Sequence, residues 1–200
     1  MLLRKIIYYI PNYLTIKRTL ASDKPIKLEI GSGKRLGMKD WIFLDLYNRA
    51  ADLRLDASAP LLFPDNSISK IYTSHLLEHL RPYQIRNMLK ECYRITKPGG
   101  IMSVSVPNAQ IYLDAYNKSK KLDLNMYCKY DRTGLTYKAK IDYANYIAYM
   151  GGHHHYMFDE ESLIIFLSEA GFKNARIRGF DGNLDSEERK HDSIYAEGKK

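Results

Sequence analysis

Short apolar runs, most of them bounded by glycine, proline, asparagine or aspartate, recur along the chain and predict β-strands. They lie at 26–30, 41–46, 52–55, 68–74, 101–106, 172–180 and 193–198. Two longer stretches, 83–96 and 159–170, repeat their apolar residues at helical spacing and are closed by nearby glycines. Strands that alternate with helices predict an α/β fold with a mostly parallel sheet, and the last two strands predict an antiparallel C-terminal hairpin.

The connection between the first two strands is unusually short. The residues between Gly33 and Asp45 are too few for a full crossover helix followed by a strand. We therefore expect the first crossover helix to be reduced to a turn.

Residues 1–24 precede the first strand and form a basic, aromatic segment that we expect to be helical. Its apolar positions at helical spacing are Ile6, Ile7, Ile10 and Leu14. We expect this helix to pack on the domain formed by residues 25–200. Contact with a membrane surface or with a partner is the alternative, because Arg4 and Lys5 make the segment basic.

Composition limits the classes of protein to which the chain can belong. The apolar runs are far too short to span a membrane, and the N-terminus lacks a small-residue cleavage site, so we expect a cytoplasmic protein. The net charge of +8 is spread along the chain without an arginine-rich block, which argues against nucleic acid as a partner. Cys92 and Cys128 have no metal-binding spacing, and Cys92 is predicted to be a buried small hydrophobe.

Glycine and carboxylate residues follow the first predicted strands at the positions where a nucleotide-like ligand needs them. The run Leu28-Glu-Ile-Gly31-Ser-Gly33 predicts a strand that stops at a glycine turn, where the backbone can approach a ligand closely. Asp45 ends the second run and Asp56 follows the third. A carboxylate can accept two ribose hydroxyls, so these strand ends predict a site for an adenosine compound.

Five segments in this order resemble the class I S-adenosylmethionine-dependent methyltransferases, and within them the short type-11 members often associated with glycan biosynthesis. The segments are LEIGSG, WIFLDLY, RLDASAPLLFPDNSISKIYTSHLLEHL, ECYRITKPGGIMSVSVPN and FDEESLIIFLSEAGF. The resemblance begins near Lys27 and continues to the C-terminus, with a weakly matched insert between Asn108 and Gly151. It implies a Rossmann-like sheet and S-adenosylmethionine as the cofactor.

The resemblance also implies which residues hold the donor. The matching positions are Glu29, Gly31, Ser32, Gly33, Asp45, Leu46, Asp56, Ala57, Ser74 and His75. Glu29 corresponds to the acidic position near the methionine amino group, Asp45 to the ribose-binding carboxylate and Asp56 to the position that contacts the adenine amine. Ser74 and His75 lie where the fourth predicted strand meets the methionine portion.

Two positions depart from the family pattern. Lys34, Arg35 and Leu36 stand where a third glycine is usual, and a dinucleotide dehydrogenase would also require glycine at position 36. Ser69 stands where aspartate often leads into the fourth strand. We interpret the second departure as the loss of a turn contact.

Residues 108–157 hold nine of the chain's seventeen tyrosines and lack a clean apolar stripe. An insert that follows the fifth predicted strand lies over the carboxyl ends of the strands, where open α/β sheets bind ligands. We expect it to form a lid and acceptor wall, since tyrosine offers a flat apolar face with a polar tip. A helical subdomain packed with tyrosine is the alternative.

Histidines are the candidates for removing a proton from the acceptor. His154 matches a histidine that recurs in relatives before the FDEESL segment, so we expect it to be the base, with His79 second. No metal is expected, because the adjacent residues His153, His154 and His155 cannot easily converge on one ion. The sequence thus predicts methylation of a small or glycan-type acceptor at oxygen, with a non-catalytic binding module as the alternative.

Overall fold

The computed structural model describes residues 2–33, 38–130 and 134–200, with side chains described from residue 10 onward. Its centre is a six-stranded sheet in the order β2-β1-β3-β4-β6-β5. The strands are β1 Lys27–Ile30, β2 Trp41–Leu44, β3 Ile68–Ser74, β4 Thr96–Pro107, β5 Lys173–Ile177 and β6 Ser193–Lys199. The α/β class predicted from the sequence is confirmed.

Strand direction follows the predicted pattern. β1 pairs in parallel with β2 and β3, and β3 pairs in parallel with β4. β6 runs antiparallel to both β4 and β5, which confirms the antiparallel C-terminal pair. Because β1 to β4 are parallel, their carboxyl ends share one edge of the sheet, and the first residue of β6 lies at that same edge.

The predicted third strand at 52–55 is wrong as a strand, since it is reduced to a single parallel bridge between Leu44 and Leu53. Leu53 donates its N–H to the Phe43 carbonyl and accepts the Asp45 N–H. The Phe43 N–H goes instead to the Asp52 side chain at 2.9 Å. This side-chain bond takes the place of the next backbone bond and ends the ladder.

β4 begins earlier than the predicted strand at 101–106. Lys97 to Gly100, expected to separate helix from strand, are part of the strand, with a register shift opposite Ile68 and Lys70. Gly99 has a φ of 81° and donates its N–H to the Lys200 carbonyl at 2.7 Å, so the C-terminus pairs with this segment.

Six α-helices accompany the sheet within the described ranges. They are α1 Leu2–Leu20, α2 Pro82–Ile95, α3 Ala109–Asn117, α4 Leu124–Tyr127, α5 Ile141–Tyr149 and α6 Glu160–Glu169. α2 and α6 pack together on one face and bury their apolar residues in the main core with the strands. Asp159 caps α6 by accepting the Ser162 N–H, as its position before the helix predicts. Each described helix is too short or too polar to cross a bilayer.

α1 contacts the domain through a different face from the one predicted. Ile16 is buried in the main core, and the Asn12 side chain exchanges two hydrogen bonds with the Arg54 backbone at 2.9 and 3.0 Å. Ile10 and Leu14, expected to face inward, are exposed. The helix continues through Pro11.

The first crossover is short, as predicted. The described residues between β1 and β2, 31–33 and 38–40, contain no helix. The departure from the glycine fingerprint at Lys34, Arg35 and Leu36 lies outside the described residues.

Candidate functional site at the carboxyl edge of the sheet

The glycine turn after β1 is held against β2 and against the segment after β3. Gly31 donates its N–H to the Leu44 carbonyl at 2.8 Å and has a φ of 75°. A Cβ at Gly31 would lie only 2.8 Å from Cδ2 of Leu76. Both its backbone conformation and this close approach therefore require glycine.

Asp45 joins the glycine turn to the end of β2. Its Oδ2 accepts the Gly33 N–H at 2.8 Å, and its Oδ1 accepts the Tyr47 and Asn48 N–H groups, each at 2.8 Å. The Asn48 side-chain amide in turn donates to the Gly33 carbonyl. A carboxylate has about four acceptor positions, so Asp45 can brace the turn and still accept from a ligand.

The other predicted donor residues occupy distinct environments. Glu29 is buried within β1, and Leu46 is exposed at the end of β2. Asp56 is exposed, and its Oδ1 accepts the Ser58 N–H and hydroxyl at 2.9 and 2.7 Å. Ala57 packs partly buried against the main core. Asp45 contacts the glycine turn directly, through the Gly33 N–H.

Ser74 binds the loop that precedes β6, and His75 binds the first residue of β6. Arg189 Nη1 donates to the Ser74 hydroxyl at 3.0 Å and to its carbonyl at 3.2 Å. His75 Nε2 lies 2.8 Å from the Ser193 hydroxyl, and its backbone has a φ of 52°. Burial, and next the Arg189 charge, lower the pKa of His75 well below its usual value. These contacts fix the position of His75 at the sheet edge.

One carboxyl group and two histidines meet beside this segment. Glu78, His79 and His154 each present one side-chain N or O atom, and these atoms lie within 4.8 Å of one another. We call these three residues the Glu-His-His cluster. The two imidazole rings are 5.1 Å apart between centroids, and His79 Nε2 lies 3.9 Å from Glu78 Oε1. The structure therefore brings together both histidines that the sequence singled out.

Backbone carbonyls fix both histidine rings of the cluster. His79 Nδ1 lies 2.9 Å from the His153 carbonyl, and His154 Nδ1 lies 2.8 Å from the Ile147 carbonyl. A carbonyl can only accept, so Nδ1 carries the proton in each ring and Nε2 keeps its lone pair. His153 and His155 are exposed.

Burial keeps the cluster uncharged near neutral pH. It raises the pKa of the Glu78 carboxyl to about 8. It lowers the pKa of His154 to about 4, and that of His79 is lowered also, again mainly by burial. At pH 7 both imidazoles are thus neutral and can accept a proton or bind a ligand.

The tyrosine-rich insert forms a small core of its own. Its buried residues are Ala109, Tyr112, Ala115, Leu122, Cys128, Tyr143, Tyr146 and Ile147. The insert is tied to the sheet edge where Asn108 pairs with Phe158 and where Lys129 lies 3.5 Å from Asp192. Tyr149, in the last turn of α5, is 63% exposed, and its carbonyl accepts the His154 N–H at 3.1 Å.

Three residues of this edge were not predicted as site residues. Glu78 directly precedes His79 in the sequence, so its place beside the histidine was a usable signal. Arg189 comes from the loop before β6, and Ser193 is the first residue of β6. They contact Ser74 and His75, which lie 115 and 118 residues earlier in the chain. No local pattern indicates such contacts.

Comparison with known proteins agrees with this architecture. A family model described as "Methyltransferase domain" matches residues 20–177. A probable S-adenosylmethionine-dependent methyltransferase of Mycolicibacterium smegmatis is 35% identical over 57 residues, which make up 28% of this chain and 21% of that protein. The match therefore spans about a fifth of that curated relative's length.

Two solved structures with the same fold cover nearly the whole chain. A SAM-dependent methyltransferase from Archaeoglobus fulgidus has a TM-score of 0.56 at 18% identity, over 96% of this chain and 93% of its own. One from Mesorhizobium loti has a TM-score of 0.52 at 13% identity, over 92% and 95%.

A third structure of the same fold is bound to the cofactor. Phosphoethanolamine N-methyltransferase 2 of Haemonchus contortus, in complex with S-adenosyl-L-methionine, has a TM-score of 0.50 at 13% identity, over 96% of this chain and 52% of that one. The family match covers most of the present chain, and the sheet order and the glycine turn agree with it. The chain belongs to the methyltransferase domain family, as a class I S-adenosylmethionine-dependent methyltransferase.

Proposed function

We propose that the chain transfers a methyl group from S-adenosylmethionine to a hydroxyl of a small-molecule or glycan acceptor. One observation carries this proposal, namely that segment 74–79 touches the glycine turn on one side and the Glu-His-His cluster on the other. Leu76 lies against Gly31, while Glu78 and His79 belong to the cluster. A donor on the turn and an acceptor at the cluster would therefore be neighbours.

The residues of the turn fit the donor. Gly33 has a φ of 57°, and no described atom lies within 4 Å of the position that a Cβ would occupy there. The buried Ser32 hydroxyl has no hydrogen-bond partner within the described part of the chain, so a polar ligand group could satisfy it. In this proposal Asp45 accepts the ribose hydroxyls, Asp56 the adenine amine and Glu29 the methionine amino group.

S-adenosylmethionine supplies a methyl group on a positively charged sulfur. The acceptor oxygen forms a bond to the methyl carbon while the carbon–sulfur bond breaks, its electron pair stays on sulfur, and the hydroxyl proton departs. The chain's part is mainly alignment, which can contribute roughly 7–11 kcal/mol to lowering a barrier. Neutral His154 or His79 can accept the hydroxyl proton through Nε2.

One exposed aromatic side chain bears on the nature of the acceptor. Exposed Tyr149, beside His154, offers an aromatic face that suits a sugar ring. An amine acceptor is the alternative to test, since the similar structure from Haemonchus contortus is that of a phosphoethanolamine N-methyltransferase.

A mass-spectrometric screen tests the proposal directly. The full chain is incubated with S-adenosylmethionine and with panels of sugar nucleotides, lipid-linked glycans and small amines. Methylated hydroxyl products support the proposal. If the donor binds and no acceptor in any panel is methylated, the non-catalytic binding module takes its place, and methylated amines alone would overturn the oxygen assignment.

A matched pair of variants then tests the cluster. His154→Ala should lower turnover roughly 10²–10⁴-fold, the usual contribution of a proton-transfer group, while calorimetric affinity for the donor stays within about twofold. His155→Ala removes an exposed neighbour and should leave turnover unchanged, and melting curves verify that both variants fold. Full turnover in His154→Ala would remove this residue from the reaction, and loss of donor binding would place it in the cofactor wall.

A further inference from the structure

We infer that Glu78, His79 and His154 form a binding site for a divalent metal ion. The inference rests on the proposed function for the ion's role, because the ion would sit where the acceptor hydroxyl is activated. The residues were assigned above as a proton-accepting cluster, and the sequence alone gave no reason to expect a metal.

The donor set has the composition of known catalytic metal sites. Two imidazole nitrogens and one carboxylate oxygen within 4.8 Å of one another can bind one ion and leave coordination positions open. Bonds to such ligands are about 2.0–2.2 Å long, so the ligand atoms would close in by small side-chain rotations. His79 Nε2 and Glu78 Oε1, 3.9 Å apart, are already near that spacing.

The hydrogen bonds of the two histidine rings match those of metal-binding histidines. A metal-binding histidine usually donates its other ring N–H to a carboxylate or a backbone carbonyl. Both His79 and His154 have such a bond from Nδ1, to the carbonyls of His153 and Ile147. Each ring is thereby fixed with Nε2 as the free coordinating atom.

Glu78 supplies an independent observation. Its side chain is 2% exposed, and its Oε2 has no hydrogen-bond partner among the described residues. A buried polar atom left in this way costs free energy, which an ion would offset. Binding of the ion would displace the Glu78 proton, and the resulting carboxylate would be paired with the cation at a place where its Oε1 lies 3.9 Å from His79 Nε2 and 3.6 Å from His75 Nδ1.

Backbone hydrogen bonds hold the two chain segments of the site together. The Glu78 carbonyl accepts the His155 N–H at 2.7 Å and the Tyr156 N–H at 3.3 Å. Glu78 and His79 lie in the 3-10 turn Leu77–His79 after β3, whereas His154 lies at the end of the insert. The ligand positions therefore stay close whether or not an acceptor binds.

A bound divalent ion would change the role of the histidines. An acceptor hydroxyl that coordinates the ion loses its proton more easily, because the positive charge stabilises the alkoxide. His79 and His154 would then act as ligands, and water or another base would remove the proton.

Metal binding can be measured without any acceptor. The full chain is stripped with EDTA, dialysed and titrated with Mn²⁺ and Zn²⁺ by calorimetry, and with Co²⁺ by its visible absorption. We expect one equivalent of at least one ion to bind. His79→Ala and Glu78→Gln should each weaken binding roughly tenfold or more, since each removes a ligand.

The matched control is His155→Ala, which removes an exposed histidine outside the cluster and should bind the ion as wild type does. Glu78 is buried, so even the isosteric Glu78→Gln could unfold the protein. His79 is partly exposed, so His79→Ala should fold and can be tested in that case. Absence of stoichiometric binding of all three ions to the folded wild type, or unchanged affinity in His79→Ala, would overturn the inference.

The ion site and the proposed function can fail separately. Ion binding that depends on Glu78 and His79, without methylation of any hydroxyl, would support the site and remove the function. Hydroxyl methylation that proceeds equally fast after EDTA treatment would support the function and overturn the ion site.

Discussion

At the scale of single residues, Asp45 has two roles that its position makes compatible. It holds the glycine turn through Gly33 and shapes the following turn through Tyr47 and Asn48. A carboxylate has about four acceptor positions, so these bonds leave room for a further hydrogen bond. In the proposed function, the same carboxylate preorganises the turn and accepts the ribose hydroxyls.

Replacing Asp45 should therefore weaken donor binding. Asp45→Ala removes a charged hydrogen-bonding partner, which typically costs about 1.5–3 kcal/mol, or roughly 10–150-fold in affinity. Calorimetry with S-adenosylmethionine and with its demethylated product measures the effect. The control is Asp23→Ala, which removes an exposed carboxylate before β1 and should bind the donor as wild type does. If a folded Asp45→Ala variant binds the donor with wild-type affinity, the assignment of Asp45 to the ribose is wrong.

Site residues next to a strand end could be predicted from the sequence. Contacts between residues far apart in the sequence could not. Gly31, Gly33 and Asp45 follow strand ends, so local pattern and family resemblance both indicated them. His79 and His154 were recognised separately, yet nothing in the sequence showed that their rings lie 5.1 Å apart. Arg189 and Ser193 reach the site from the far end of the chain and had no local signal.

At the scale of elements, α5 combines packing with exposure. Tyr146 is 1% exposed, and its hydroxyl accepts the Tyr130 N–H at 3.1 Å. Tyr149, one helical turn further, is 63% exposed and lies next to His154. Tyr146 is therefore part of the core of the insert, as the alternative of a tyrosine-packed subdomain expects. Tyr149 is the tyrosine of α5 to which the acceptor-wall hypothesis applies.

Truncation of these two tyrosines should have opposite effects. Tyr146→Ala should destabilise the fold by about 3–5 kcal/mol, as deletion of a buried ring does. Tyr149→Ala should leave the melting temperature nearly unchanged and raise KM for the acceptor. Thermal melts and steady-state kinetics with an acceptor from the screen separate the two, and unaltered kinetics in Tyr149→Ala would take the residue out of the acceptor wall.

Element boundaries depended on what terminates each strand. β3 was predicted with its observed bounds because turn residues precede it and polar residues follow it. The run 52–55 also alternates polar and apolar residues, yet the Asp52 side chain accepts the Phe43 N–H and leaves a single bridge. The apolar pattern of the sequence reveals such a run. It does not reveal the hydrogen bond from Phe43 N–H to the Asp52 side chain, which ends the strand pairing.

At the scale of the whole molecule, a buried ion pair fastens the loop before β6 to the sheet. Arg178 donates to both oxygens of Asp185 at 2.6 and 2.7 Å, and Asp185 also accepts from the Tyr72 hydroxyl at 3.0 Å. The same loop carries Arg189, which binds Ser74 at the site. The pair thus connects the stability of the sheet with the position of its functional edge.

Breaking this pair should cost far more than breaking a surface pair. Arg178→Ala leaves the buried Asp185 carboxylate uncompensated and should destabilise the fold by about 3–5 kcal/mol. Arg176→Ala breaks the exposed pair with Glu197, 2.6 Å long, and should cost at most about 1 kcal/mol. Urea denaturation of both variants compares them, and similar losses would contradict the anchoring role.

The central claim is that the donor binds at the glycine turn, against the segment that leads to the Glu-His-His cluster. Hydrogen exchange with and without S-adenosylhomocysteine tests it most directly, because a bound ligand slows exchange where it contacts or orders the backbone. The account predicts slower exchange at 31–33, 45–48 and 75–79 when the ligand is saturating. Unchanged exchange in all three segments, or slowing confined to α1, would contradict it.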